Sequence, residues 1–198
     1  INESAFIKGK FVQKFEEEFV KFCGAKYCVA ANSGTSALHV ALLSHGIQPG
    51  DEVITVPNTF IATTWAITYC GAKPVFVDVS LETFSTDLEK IKPLINENTI
   101  GVILIHCLGF NAITKELVDY CRENDLFLIE DCCESHGATY KDKKTGTFGD
   151  ISNFSFYFGH HMTTIEGGMV CTNDDEIFQY AKMFRSHGMT RLDYLQSD

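Results

Sequence analysis

No basic cluster offsets the acidic surplus of this sequence, no two cysteines stand in a C-x-x-C pair, and no apolar run is long. Sixteen lysines and arginines face 26 aspartates and glutamates, a formal net charge of −10. With no basic cluster to offset that surplus, nucleic acid and anionic membrane surfaces are poor partners. Every apolar run falls short of the ~20 residues of a spanning helix, and the first residues lack a basic-then-apolar leader. Without C-x-x-C pairs a zinc ribbon is not expected. The eight cysteines, Cys23, Cys28, Cys70, Cys107, Cys121, Cys132, Cys133 and Cys171, sit mostly in apolar segments. They read as reduced, buried thiols of a cytoplasmic protein rather than as a disulfide framework. Internal repeats, low-complexity tracts and interdomain linkers are also missing, so the 198 residues read as one domain large enough to bury a sizeable core. Residue 1 is not Met, and Met183 to Asp198 opens a segment without a closing element, as in a piece of a longer protein.

What is present is an ordinary globular composition, 45% apolar and 21% charged. Phe11, Phe15, Phe19 and Phe22 recur at helical spacing with Val12 and Val20, and Gly24 stands where a C-terminal cap belongs. Tyr27–Ala31 reads as a strand and Thr35–His45 as a helix, with Leu38, Ala41 and Leu42 on one face. A strand ended by Pro57, a helix over Phe60–Tyr69 and a strand in AKPVFVDV follow, and Ser85-Thr86-Asp87 caps a helix through Ile91. Thr99–His106 is a very apolar strand, Thr114–Asn124 a helix, and Leu126–Asp131 a strand ending in carboxylates. Residues 151–158 and 169–172 read as two further strands, and Asp174–Ser186 as a helix. This alternation predicts an α/β fold: a mostly parallel central sheet with helices on both faces.

Ligands of open α/β sheets sit beyond the C-terminal strand ends, where several candidate groups fall. Ser33-Gly34-Thr35-Ser36 follows a strand and opens a helix, so its N–H groups and hydroxyls suit a phosphate, although small polar residues also cap helices with no ligand. Asp131 ends a buried strand and could pair with a cationic ring nitrogen or a metal; its neighbour Glu130 reads as a solvated strand-end carboxylate. His136, near Asp131, reads as a hydrogen-bonded loop residue or a metal ligand. Phe60 offers either a stacking platform for a planar ring or a core side chain. In FSFYFGHHMTTIEGG, Ser155 could complete an anion site, and the adjacent His160 and His161 point to a reactive junction.

The order of GKFVQKFEEEF, NSGTSALHVALLSHGIQPGDEVITVPNTFIAT, GAKPVFVDV, IEDCCESHGATY, GTFGDISNFSFY and EGGMVCTND resembles the DegT/DnrJ/EryC1/StrS sugar aminotransferase family over nearly the whole chain. That family belongs to the aspartate aminotransferase-like fold type I, whose enzymes use pyridoxal 5'-phosphate (PLP). The resemblance implies that residues 1–198 form the large, cofactor-binding domain and that a C-terminal small domain is absent from the chain. It also implies that Gly34, Thr35 and Ser155 hold the cofactor phosphate, Phe60 stacks on the pyridine ring, and Asp131 pairs with the ring nitrogen and keeps it protonated. Glu134 stands where the family usually has Gln beside the ring hydroxyl; a carboxylate there repels a phenolate unless one of them is protonated.

Family aminotransferases carry a lysine after FSFY-x-x, which bonds covalently to PLP. Here that position is His160, no lysine lies between Lys144 and Lys182, and imidazole cannot make that bond. The His-bearing branch of the family comprises sugar-nucleotide 3-dehydratases, which use pyridoxamine 5'-phosphate (PMP) with histidine as base. The resemblance therefore implies C3 dehydration of a nucleotide-linked 4-keto-6-deoxy sugar, with His160 catalytic, no metal, glutamate as a possible amino donor, and a cytoplasmic homodimer. Two alternatives stay open: a sugar-nucleotide aminotransferase without a fixed lysine, and a catalytically inactive cofactor-binding relative.

Overall fold

The computed structural model describes residues 9–189; residues 190–198 of the expected terminal segment lie outside that range. Helix α1 (Lys10–Cys23) ends at Gly24, whose left-handed backbone (φ +83°) returns its N–H to the Val20 carbonyl. Of the four phenylalanines at helical spacing, Phe15 and Phe19 pack inward, with the Phe19 ring 5.0 Å from Phe154 and 5.2 Å from Phe156, whereas Phe11 and Phe22 face outward.

Strand β1 (Tyr27–Ala31) leads into α2 (Gly34–Ser44), then β2 (Glu52–Thr55), α3 (Ala62–Tyr69), β3 (Lys73–Phe76) and the short α4 (Leu88–Ile91). Next come β4 (Thr99–Ile105), α5 (Lys115–Glu123), β5 (Phe127–Asp131), the small hairpin β6 (Thr139–Tyr140) and β7 (Lys143–Lys144), β8 (Ile151–Ser155), β9 (Gly168–Thr172) and α6 (Asp175–Arg185). The expected elements are all found, with three corrections, the first being that β3 ends at Phe76 rather than Val79. Helix α3 begins at Ala62 rather than Phe60, and β8 ends at Ser155 rather than residue 158. After Ser155 the backbone turns, His160 N–H returning to the Tyr157 carbonyl at 3.0 Å.

The seven-stranded sheet has the order β1-β9-β8-β5-β4-β2-β3. Only β9 runs against its neighbours; the other pairings are parallel, as the alternation of elements requires. The two faces carry separate cores. Val29, Ile151 and Val170 join the larger one, with residues of α2, α3 and α5, while Cys28, Phe154, Met169 and Cys171 join a smaller one under α1. Side chains alternate along β1 and β9 with period two, so burial on both faces is written into both strands. Among the described residues no helix is long and apolar enough to cross a membrane.

Candidate active site

Six of the seven strands point the same way, so their C-terminal ends and the loops after them converge on one edge. A cavity of about 660 Å³ opens there, within the range of small-ligand sites, and Gly34, Thr35, Phe60, Asp131, Glu134, Ser155 and His160 all line it. The sequence-derived candidates are thus brought together by strands far apart in the chain.

The anion end is built from close backbone approach. Ser33 caps α2, its Oγ accepting the Ser36 N–H at 3.1 Å, so the capping and binding readings of this turn divide between residues. A Cβ on Gly34 would stand 2.7 Å from the Ser155 Cβ and 3.0 Å from its Oγ. A Cβ on Gly168 would stand 2.1 Å from the Ser33 carbonyl oxygen. Only glycines let β1, β9 and β8 bring the first turn of α2 against Ser155. First-turn N–H groups lack intrahelical acceptors and face the positive end of the helix dipole, which suits an anion. Ser155 is buried and its Oγ accepts the Tyr157 N–H at 3.3 Å, leaving its own proton to donate.

Deeper in the cavity, the Asp131 carboxylate is oriented from three sides. Oδ1 accepts from the Cys133 N–H and from Asn153 Nδ2, both at 3.1 Å, and Oδ2 accepts from the Thr63 hydroxyl at 3.1 Å. The Thr59 hydroxyl stands 3.1 Å from that of Thr63 and extends the chain. Phe60 is 74% exposed on the cavity wall, which excludes the core reading of that side chain. Glu134 Oε2 accepts the Leu108 N–H at 3.1 Å, and Leu108 itself sits in the left-handed region (φ +51°), a strained conformation for a branched residue.

The two histidines part company. His160 lines the cavity, whereas His161 is exposed and does not. Both lie near His136, whose ring centroid is 6.4 Å from that of His160 and 6.0 Å from that of His161. His136 packs against Phe154 and Phe156 with both ring nitrogens unpartnered. Burial first, and then the proximity of His161 and His160, push it down to about 4.

Glu130 is not solvated as expected; it is fully buried. Its carboxylate accepts from His106 Nε2 at 2.9 Å and from the N–H groups of Gly146, Phe148 and Gly149 at 2.7–2.8 Å. Burial is the largest single influence and opposes ionisation, yet these donors together outweigh it and hold the carboxyl below its ordinary value. Because His106 Nδ1 accepts the Ala112 N–H at 3.2 Å, its proton sits on Nε2 and points to Glu130. This pair fixes the 146–149 loop behind the site.

The reading from sequence missed Thr63, Asn153 and His106. Asn153 was accessible in principle: it shares a face of β8 with Ser155 and lies in register with Asp131. Thr63 and His106 carry no local signal, because only the parallel pairing of β4 with β5 and the docking of α3 bring them to the carboxylates.

Residues 1–197 match the DegT/DnrJ/EryC1/StrS aminotransferase family. GDP-perosamine synthase of Caulobacter vibrioides is 42% identical over 181 residues, covering 91% of this chain and 49% of that protein. The X-ray structure of an aminotransferase from Psychrobacter cryohalolentis superposes with a TM-score of 0.92 at 36% identity, covering 98% of this chain and 49% of that one. An E. coli GDP-4-keto-6-deoxy-D-mannose-3-dehydratase solved with hydrated PLP gives a TM-score of 0.87 at 32% identity, over 93% and 49% of the two chains. The chain spans about half the length of the curated relatives it matches.

Proposed function

Because the chain belongs to the DegT/DnrJ/EryC1/StrS aminotransferase family, we propose that it is the large, cofactor-binding domain of a PLP/PMP-dependent enzyme acting on a nucleotide-linked 4-keto-6-deoxy sugar. A C-terminal small domain would complete the substrate pocket. The favoured reaction is dehydration at C3. The observation that carries this choice is His160 on the cavity wall with no lysine among the residues lining it.

The site fits a phosphorylated pyridine. The space a Cβ at residue 34 would fill is shaped by Ser155, the buried Asp131 carboxylate lies deep in the same cavity, and an exposed phenylalanine flanks it. Gly34, Thr35 and Ser155 would hold the phosphate, Phe60 one face of the ring, and Asp131 the protonated ring nitrogen. When bound, PMP supplies the amine that condenses with the sugar ketone and a ring that accepts electrons. His160 would then take and return a proton at the C4′ carbon, a task that suits imidazole near neutral pH. Thr63 and Asn153 keep Asp131 aimed, and Glu134, tethered to the Leu108 N–H, would stand beside the ring hydroxyl.

We place the enzyme in the cytoplasm, consistent with its eight free thiols. A homodimer is supported by α3 and its N-cap, where Ile61, Trp65 and Tyr69, at a spacing of four, leave an apolar stripe 45–57% exposed beside Phe60.

The test supplies the full-length enzyme with PLP, glutamate and a GDP-linked 4-keto-6-deoxy sugar. The expected product has lost its 3-hydroxyl, and borohydride leaves no cofactor attached to protein. A product that has gained an amine at C4 with its 3-hydroxyl intact selects the aminotransferase reading. Cofactor binding with the sugar left unchanged selects the inactive cofactor-binding relative.

A further inference from the structure

Three of the eight cysteines converge away from the cavity, on the α1 face of the sheet. Cys28 and Cys171 are directly opposed partners on the antiparallel strands β1 and β9, and Cys23 is the last residue of α1. The left-handed turn at Gly24 folds the chain back so that one helix end and two strand positions meet. The sulfur separations are 3.7 Å for Cys23–Cys28, 4.0 Å for Cys23–Cys171 and 3.0 Å for Cys28–Cys171. All three are at most 5% exposed, within the core formed by Phe19, Phe154 and Met169. Among the described residues, their sulfurs hydrogen-bond, apart from one another, with the Ala25 N–H at 3.5 Å and the Val20 carbonyl at 3.8 Å, both at Cys23.

We propose that Cys23, Cys28 and Cys171 form a binding site for a thiophilic d10 cation of the zinc group. The geometry is the first argument. With metal–sulfur bonds of about 2.3 Å, sulfurs around one ion lie about 3.8 Å apart in a tetrahedral arrangement and about 4.0 Å apart in a trigonal one. Two of the three observed edges already match, and the third opens by small rotations of Cys28 and Cys171. The donor set is the second argument, since thiolates select soft metals over the hard cations that prefer oxygen. Binding converts three S–H bonds into three metal–sulfur bonds and releases three protons to solvent, with no change of oxidation state. Affinity therefore rises with pH. No other His, Cys, Asp or Glu among the described residues joins this group, so the ion would be structural, pinning α1 to the β1–β9 edge, and separate from the catalytic cavity.

The full chain, reduced and freed of metal, is titrated with cadmium(II) as spectroscopic probe. The expected result is an ultraviolet thiolate-to-cadmium charge-transfer band saturating at one ion per chain, with three protons released per ion and a higher melting temperature. Zinc(II) in excess removes the band. Cys171→Ala, and independently Cys23→Ala, should weaken binding at least tenfold while Cys70→Ala does not, with circular dichroism reporting whether each variant is folded. No band in the folded chain overturns the proposal, as does a band unchanged in both variants. A Cys28–Cys171 disulfide in protein prepared without reductant, seen as a loss of two hydrogens, also overturns it.

Discussion

Ser155 crowds the space in which a side chain at Gly34 would stand: a Cβ there would lie 2.7 Å from the Ser155 Cβ, well inside van der Waals contact. The anion end of the cavity thus depends on the absence of a methyl group. Gly34→Ala should force Ser155 and the neighbouring Cys133 apart, costing about 1–3 kcal/mol of stability, as overpacking does. PLP affinity, read by absorbance titration, should fall about tenfold or more; unchanged affinity would remove Ser155 and the α2 turn from the phosphate site.

His160→Asn should abolish turnover while leaving cofactor binding within about threefold, since Asn can hydrogen-bond but cannot exchange a proton near neutral pH. His160→Lys should capture PLP as a borohydride-reducible covalent adduct. A lysine there that leaves PLP freely dialysable would show that residue 160 does not reach the cofactor.

Glu130 links stability to pH. Its folded carboxyl lies below the ordinary value of 4.5, so the stabilisation is complete above that value and is lost as pH falls through it and then through the lower folded value. Glu130→Gln should flatten this acid limb in melting curves recorded below pH 4.5. Glu130→Ala should lower stability at pH 7 by about 3–5 kcal/mol, because His106 and three backbone N–H groups lose their buried acceptor.

His136 acts in a higher window. It is depressed from 6.5 to about 4, so the unfolded chain takes up a proton first as pH falls below 6.5, and the folded state loses stability from there down towards 4. His136→Gln should reduce the slope of melting temperature against pH over that interval. An unaltered slope would mean that the imidazole is solvated.

Trp65→Glu places a charge in the middle of the exposed α3 stripe. Sedimentation of the full-length protein should shift from dimer to monomer, with circular dichroism unchanged. A dimer that survives the substitution would move the interface elsewhere.

The elements, their order and the mostly parallel sheet were legible because local rules write them: period-two burial in β1 and β9, an unbroken apolar run in β4, and Gly24 and Asp87 at helix ends. The residues at the strand ends were legible for a related reason, since parallel topology fixes which end of each strand meets a ligand. The motif order carried the family, and His160 in place of lysine is a covalent fact that folding cannot alter. What tertiary structure decided is everything that depends on distance between segments. Phe60 turned out to wall a cavity rather than fill a core, and Glu130 to be a buried hub rather than a solvated end. His136 came to lie beside His160 and His161, and three cysteines from separate segments met at one point. Each outcome follows from strand register, loop folding and helix docking, which bring together residues from separate segments and leave no mark on the sequence around any one of them.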